Sequence, residues 1–236
     1  MSNEIEDIQK LEIKHIMATR QWFYDFLAKS FYTEPNIHRL KEAFQTKVFT
    51  ELLNEAGESN QGVYFLCQFL NNIEKISPLE IEELKLEYNR LFIGPNHLPA
   101  PPWESVYLSK EKIIFDEHTL AVREFYKRWN VTTKNKNKEP DDHIGFELEF
   151  MSILIGRSIK ALNENNMKYF SSTIISQKEF LETHPLVWID KFSSKLYNST
   201  NHHFYKGLAL FTPEYLRMDI ELLKDIIYSF NIFIES

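Results

Sequence analysis

Ser77 to Pro95 reads SPLEIEELKLEYNRLFIGP, and the way this stretch starts and stops decides the fold class. Ser77-Pro78-Leu79-Glu80 is a capping box with proline at the first helical position. The Ser and Glu side chains satisfy backbone N–H groups that a first turn leaves without partners, and proline has no N–H to orphan. Ile81, Leu84, Tyr88 and Leu91 then recur at spacings of three, four and three, which puts them on one helical face. Gly94-Pro95 ends the run, because glycine tolerates a left-handed cap and proline cannot continue a helix.

The same signals recur along the chain. Ile8 to Tyr32 reads as a long helix carrying Trp22, Phe23, Phe26, Leu27, Phe31 and Tyr32 before Pro35, more aromatics than one face holds. Further helices are predicted over His38 to Glu55, Gln61 to Lys75, Ile113 to Trp129, Asp141 to Asn163, and Tyr169 to Tyr197 with a break near His184-Pro185. Thr212-Pro213 reads as the start of a carboxy-terminal core helix, with Leu216, Ile220, Leu223 and Ile227 at spacings of four, three and four. Strand alternation is scarce and only six glycines occur in 236 residues, so the expected fold is all-α.

With 43% hydrophobic residues, a chain of this length can bury a sizeable core as one compact domain or two small, closely packed ones, and one helical domain over 1–236 is the expected organisation. Within it, an amino-terminal subregion (1–130) and a carboxy-terminal one (141–236) flank a hinge-like polar segment, 131–140. The stretch Asn130 to Glu139, NVTTKNKNKE, loses apolar periodicity.

A formal net charge of -7 argues against a nucleic-acid surface, which needs clustered Lys and Arg, and favours basic partners. The short Lys134 to Lys138 run alternates with Asn and reads as a solvated loop. Cys67 is the single cysteine and sits in the apolar stretch Val63 to Leu70, so it reads as a small buried hydrophobe. The amino terminus has no apolar signal core, and no window approaches the ~20 apolar residues of a membrane span. The expected location is the cytoplasm.

Two segments exceed what a plain helical protein needs. Glu87 to Tyr107, EYNRLFIGPNHLPAPPWESVY, gathers Tyr88, Phe92, Trp103 and Tyr107 around Pro95, Pro99, Pro101 and Pro102. Glu139 to Met151, EPDDHIGFELEFM, clusters Asp141, Asp142, His143, Glu147 and Glu149. His143 and Glu147 are four apart, spaced to share a metal on a helix face, so a metal-dependent hydrolase centred on Asp142, His143 and Glu147 is the enzymatic alternative. Against it, no HExxH motif or second His/Asp pair supplies a third ligand; Asp141 and Asp142 also suit a helix N-terminus, with Glu147 pairing a nearby cation. GxSxG is absent, and Gly57 to Gly62 runs into Val63-Tyr64 where a phosphate loop needs Lys and Ser or Thr. His202-His203 reads as a cap or surface pair, since adjacent helical residues point about 100° apart.

Recognition fits better than catalysis. A proline-stiffened loop loses little entropy on binding, and Trp103 offers a broad apolar face with one donor. If the acidic start of the Asp141 helix packs near that loop, the product is a groove with apolar walls and a negative end, suited to a peptide with arginines beside an apolar run. Trp103 and Asp142 are expected to be exposed. Tyr88, Leu91 and Phe92 fit either this wall or a core closing a helix end.

At these two segments the sequence resembles the chaperones of molybdenum-containing, twin-arginine-exported oxidoreductases, the redox enzyme maturation proteins that serve dimethyl sulfoxide and trimethylamine N-oxide reductases. LAKSFYTEP at Leu27 to Pro35 and FYKGLALFT at Phe204 to Thr212 add to the match. The resemblance implies an all-helical fold, no catalytic turnover, no cofactor or metal, and a role in anaerobic respiration. The implied partner is the twin-arginine leader of a molybdopterin oxidoreductase, held back from export until its cofactor is inserted, with the mature client as a second contact.

The resemblance also carries monomeric or homodimeric forms, domain swapping and weak GTP binding. Mapped onto this chain, the leader-binding residues are Tyr32, Tyr88, Leu91, Phe92, Pro102, Trp103, Asp142 and His143. The aromatic and apolar members would bury the leader's apolar run, Asp142 would meet its arginines, and His143 would hydrogen-bond or, with a pKa near neutrality, sense pH. The chain departs from some relatives in having Tyr88 for Trp, Asn96 for an aromatic and Lys110 for Arg.

Overall fold

The computed structural model describes residues 2–57, 60–95, 97–109, 116–133, 139–230 and 232. Asn96, Lys110 and the Lys134 to Lys138 run lie outside the described residues. The helices are α1 (Ser2–Tyr32), α2 (Ile37–Gln45), α3 (Val48–Ala56), α4 (Gln61–Leu70), α5 (Pro78–Tyr88), α6 (Glu104–Leu108), α7 (Glu117–Arg128), α8 (Ile144–Asn163), α9 (Met167–Thr183), α10 (Pro185–Ser199) and α11 (His203–Ser229). Among the described residues the only β-type pairing is one isolated bridge, Trp103 to His143. The all-α expectation holds.

The Ser77 capping box forms as read. Glu80 N–H donates to Ser77 Oγ at 3.2 Å, and Ser77 N–H donates to Glu80 Oε2 at 2.8 Å. After α5 the helix widens into a π turn over Asn89–Ile93 and ends at Gly94, whose φ of 98° lies in the left-handed region. Gly94 N–H closes that turn on Asn89 O at 2.9 Å.

Helices α1 and α8 make the most extensive packing among the described residues, followed by α11 against α4, and then by α11 against α10 and α8 against α9 equally. The surplus of aromatics on α1 is explained by cover on two sides. Met17, Tyr24, Leu27 and Phe31 are fully buried. Trp22 and Phe26 stack at 5.5 Å and meet Phe49 of α3, and Phe26 also meets Phe204 of α11. A buried cluster fastens α1 to α11: Arg20 Nε and Nη2 donate to the Asp219 carboxylate at 2.5 and 2.9 Å, and Tyr24 Oη donates to it at 2.7 Å.

Four local expectations are corrected. His38 to Glu55 is two helices, because Lys47 adopts a left-handed φ of 56° between α2 and α3. The Gln61 helix stops at Leu70 rather than reaching Lys75. Pro213 lies inside α11 instead of starting it: the helix begins at His203, capped by His202 Nδ1, which accepts from Phe204 N–H at 3.2 Å. The missing proline N–H costs one ladder bond, and burial of Phe204, Leu208, Phe211, Leu216 and Leu223 along the same helix offsets it. The fourth is the helix expected from Asp141, which starts at Ile144 with His143 as its cap. Cys67 is buried as read; its thiol lies 3.0 Å from Phe49 O, and burial pushes it up to about 11.

Candidate functional site

The two unusual segments meet. Ile144 N–H donates to Pro102 O at 2.8 Å, and Glu104 N–H donates to Asp142 O at 3.0 Å, so the backbones on either side of Trp103 and His143 run antiparallel and joined. Within the loop Ala100, Pro101 and Pro102 are buried, while Trp103 is half-buried.

Two aspartates hold this junction from below. Asp142 accepts from the Ser105 amide with Oδ2 and from the Thr119 hydroxyl with Oδ1, both at 2.8 Å, tying the starts of α6 and α7 to that of α8. Asp141 accepts from Arg123 Nε at 2.6 Å and Thr133 Oγ1 at 3.0 Å, and its carbonyl from Tyr126 Oη at 3.1 Å. Both flanks of the polar connector are therefore anchored here.

The expectation that Asp142 is exposed is corrected. It has no solvent exposure, and burial raises its pKa while the Ser105 and Thr119 hydrogen bonds oppose that rise. A carboxylate with both oxygens engaged by fixed donors is stable inside a protein, and composition alone does not reveal such donors. Its charge is not available to an arginine in this conformation.

Tyr88, Leu91 and Phe92 are likewise interior. Tyr88 Oη donates to Phe31 O at 3.2 Å, and the Phe92 ring packs against Phe31, Tyr88, Phe192 and Tyr205. The core alternative holds for these three residues: they close the end of the α5–π segment and support the loop above them.

His143 presents its ring to Tyr32, Trp103 and Phe146 at centroid distances of 5.5, 6.2 and 5.4 Å. Its Nδ1 accepts from Gly145 N–H at 3.0 Å, so neutral His143 carries its proton on Nε2. Burial holds its pKa down to about 3, which removes the titration near neutrality anticipated from sequence.

The hydrolase centre does not assemble. His143 turns toward the aromatic rings, whereas Glu147, one turn on, lies against the Trp188 indole N–H at 3.2 Å. Burial first, then the neighbouring Glu104 and Asp142 carboxyls, push the Glu147 pKa far up, and no cation pairs with it among the described residues. Glu104 lies 3.2 Å from His184 Nδ1. Asp142, His143 and Glu147 thus serve three separate sets of partners.

What faces outward is a cleft of about 520 Å³ between α1 and α8, reaching Val131 to Thr133. Tyr32 and Phe146 line it with ring centroids 4.3 Å apart, and Trp103 reaches the same cluster through His143. The Trp103 indole N–H donates to Glu139 Oε1 at 2.7 Å, and burial raises the Glu139 pKa. Phe146, Glu149 and Asp25 border this cleft although sequence reading did not assign them to the site. The available signal was Gly145, one of six glycines: a β-carbon there would lie 2.6 Å from Tyr32 Cβ and 3.1 Å from Ala28 O, which marks a close crossing of α1 and α8.

The family model for the nitrate reductase delta subunit matches residues 54–194, more than half of the chain. The chain belongs to the nitrate reductase delta subunit family. The matched region takes in the proline loop, the Trp103–His143 junction and α8. Relatives extend the match beyond it: a Haemophilus influenzae protein named "Probable Tat proofreading chaperone DmsD" is 33% identical over 81% of this chain and 85% of its own length. Chaperone protein TorD of Aliivibrio salmonicida is 24% identical over 90% of this chain and 98% of its own length, and Tat proofreading chaperone DmsD of Salmonella typhimurium is 31% identical over 54% and 56%. These family members carry the chaperone names that the two segments led one to expect.

Proposed function

We propose that this protein is a cytoplasmic chaperone without catalytic turnover, which binds the twin-arginine leader of a molybdopterin-containing oxidoreductase and delays its export until the cofactor is inserted and the client folds. The observation that carries this reading is the pairing of Trp103 with His143, which joins the proline loop to α8 beside an open, aromatic-lined cleft. The names of the relatives support the client class.

In this reading Tyr32 and Trp103, with Phe146, form the surface on which the leader's apolar run lies. Tyr88, Leu91, Phe92 and Pro102 support that surface from the core. Asp142 and His143 are positioning residues: the first ties the loop to α6 and α7, the second caps α8 and packs between the half-buried Tyr32 and Trp103 rings and the buried Phe146 ring. The preformed junction spares the leader the cost of ordering the loop, so affinity follows from apolar burial at the rim.

Titration of the purified protein with a synthetic leader from a molybdoenzyme of the same organism tests this. Saturable binding that is lost when the leader's apolar run is deleted is expected. Failure of a folded protein to bind any such leader contradicts the proposal.

A further inference from the structure

With Asp142 enclosed, the cleft still contains a free carboxylate. Glu149 stands on α8 one turn after Gly145, is exposed at the cleft wall, and its side chain makes no hydrogen bond or ion pair among the described residues. Asp25 faces the same cleft from α1 and is partly engaged, its Oδ1 accepting from Ser152 Oγ at 2.8 Å.

Two cations share the cleft with Glu149. Lys29 and Arg39 border both this cleft and a smaller one of about 250 Å³ between α1 and α2, whereas Glu149 borders only the larger. The Arg39 guanidinium is already taken up by Thr33 Oγ1 at 2.6 Å and Glu34 O at 3.0 Å. The Glu149 carboxylate, without a partner among the described residues, therefore sits on the α8 wall of the cleft that Tyr32 and Phe146 also line.

A planar, weakly hydrated guanidinium suits such a place. It can lie on an aromatic face and donate two parallel N–H groups to one carboxylate, which an ammonium cannot do. We propose that Glu149 receives one guanidinium of the leader's arginine pair against the Tyr32–Phe146 rings. This rests on the leader-binding reading above and names the residue that reads the arginine.

The test is a binding cycle. Wild-type protein and Glu149→Gln are each titrated with the native leader and with two leaders in which one or the other arginine is replaced by glutamine, and melting temperatures are recorded alongside. Glu149→Gln should bind the native leader about tenfold more weakly with an unchanged melting temperature. For one of the two substituted leaders the difference between wild type and variant should disappear. Equal affinity of both proteins for the native leader, or an equal loss with all three leaders, overturns the assignment while leaving the leader-binding reading intact. If wild-type protein binds no leader, that reading fails and this assignment with it.

Discussion

Gly145 and Tyr32 cross so closely that a β-carbon on the glycine would lie 2.6 Å from Tyr32 Cβ, inside any tolerable contact. Because that Cβ is fixed to the α1 backbone, relief requires the two helices to separate, and they form both the largest packed interface and the walls of the cleft. Gly145→Ala is expected to destabilise the protein by about 1–3 kcal/mol, as overpacking does, and to weaken leader binding. Urea melts read the first effect and leader titration the second.

Asp142→Ala should behave as a stability variant. It leaves the buried Ser105 amide and Thr119 hydroxyl without their acceptor, an expected loss of about 1–3 kcal/mol per orphaned group. Trp103→Ala, at the half-buried rim, should weaken leader binding more than it lowers the melting temperature. Paired melting and titration of the two variants check this contrast.

Stability should peak in mildly acid solution. The His143 pKa is depressed in the folded state, to about 3, so the unfolded chain binds more protons below its ordinary value near 6.5 and stability falls as pH drops through that range. The Glu147 pKa is raised, so the folded chain retains a proton that the unfolded chain releases above its ordinary value near 4.5, and stability falls as pH rises beyond it. His143→Asn keeps a capping acceptor but does not titrate, and should flatten the acid limb between pH 6.5 and 3. Glu147→Gln should be more stable than wild type at pH 8. Urea midpoints across pH read both limbs.

The Arg20–Asp219 pair that joins α1 to α11 is buried on both sides. Asp219→Ala leaves a buried guanidinium unpaired and should cost about 3–5 kcal/mol. Replacing both partners with Arg20→Met and Asp219→Leu should recover most of that loss. A four-point melting cycle measures the coupling.

How much of this was legible in the sequence varies with the range of the forces involved. The Ser77 capping box and the Gly94 stop were readable because both partners lie within a few residues. Pro213 misled, since the burial that carries α11 past it comes from α4, α9 and α10. Asp142 misled for the same reason: its charge suggested the surface, and the Ser105 amide and Thr119 hydroxyl that make burial tolerable come from separate segments. Trp103 and His143 were both marked as site residues, but 40 positions of chain part them, and only tertiary packing brings their backbones into hydrogen-bonding register.

The central claim, that the leader lies on the surface formed by Tyr32, Phe146 and Trp103, is tested most directly by photo-crosslinking in growing cells. A benzophenone amino acid is placed at position 32 or 103, with position 228, an exposed site near the end of α11, as the control. Mass spectrometry of the adducts should find a twin-arginine leader attached at 32 and 103 and none at 228. Leader adducts at 228 alone, or none at 32 and 103 while the protein still binds leader in solution, would contradict the account.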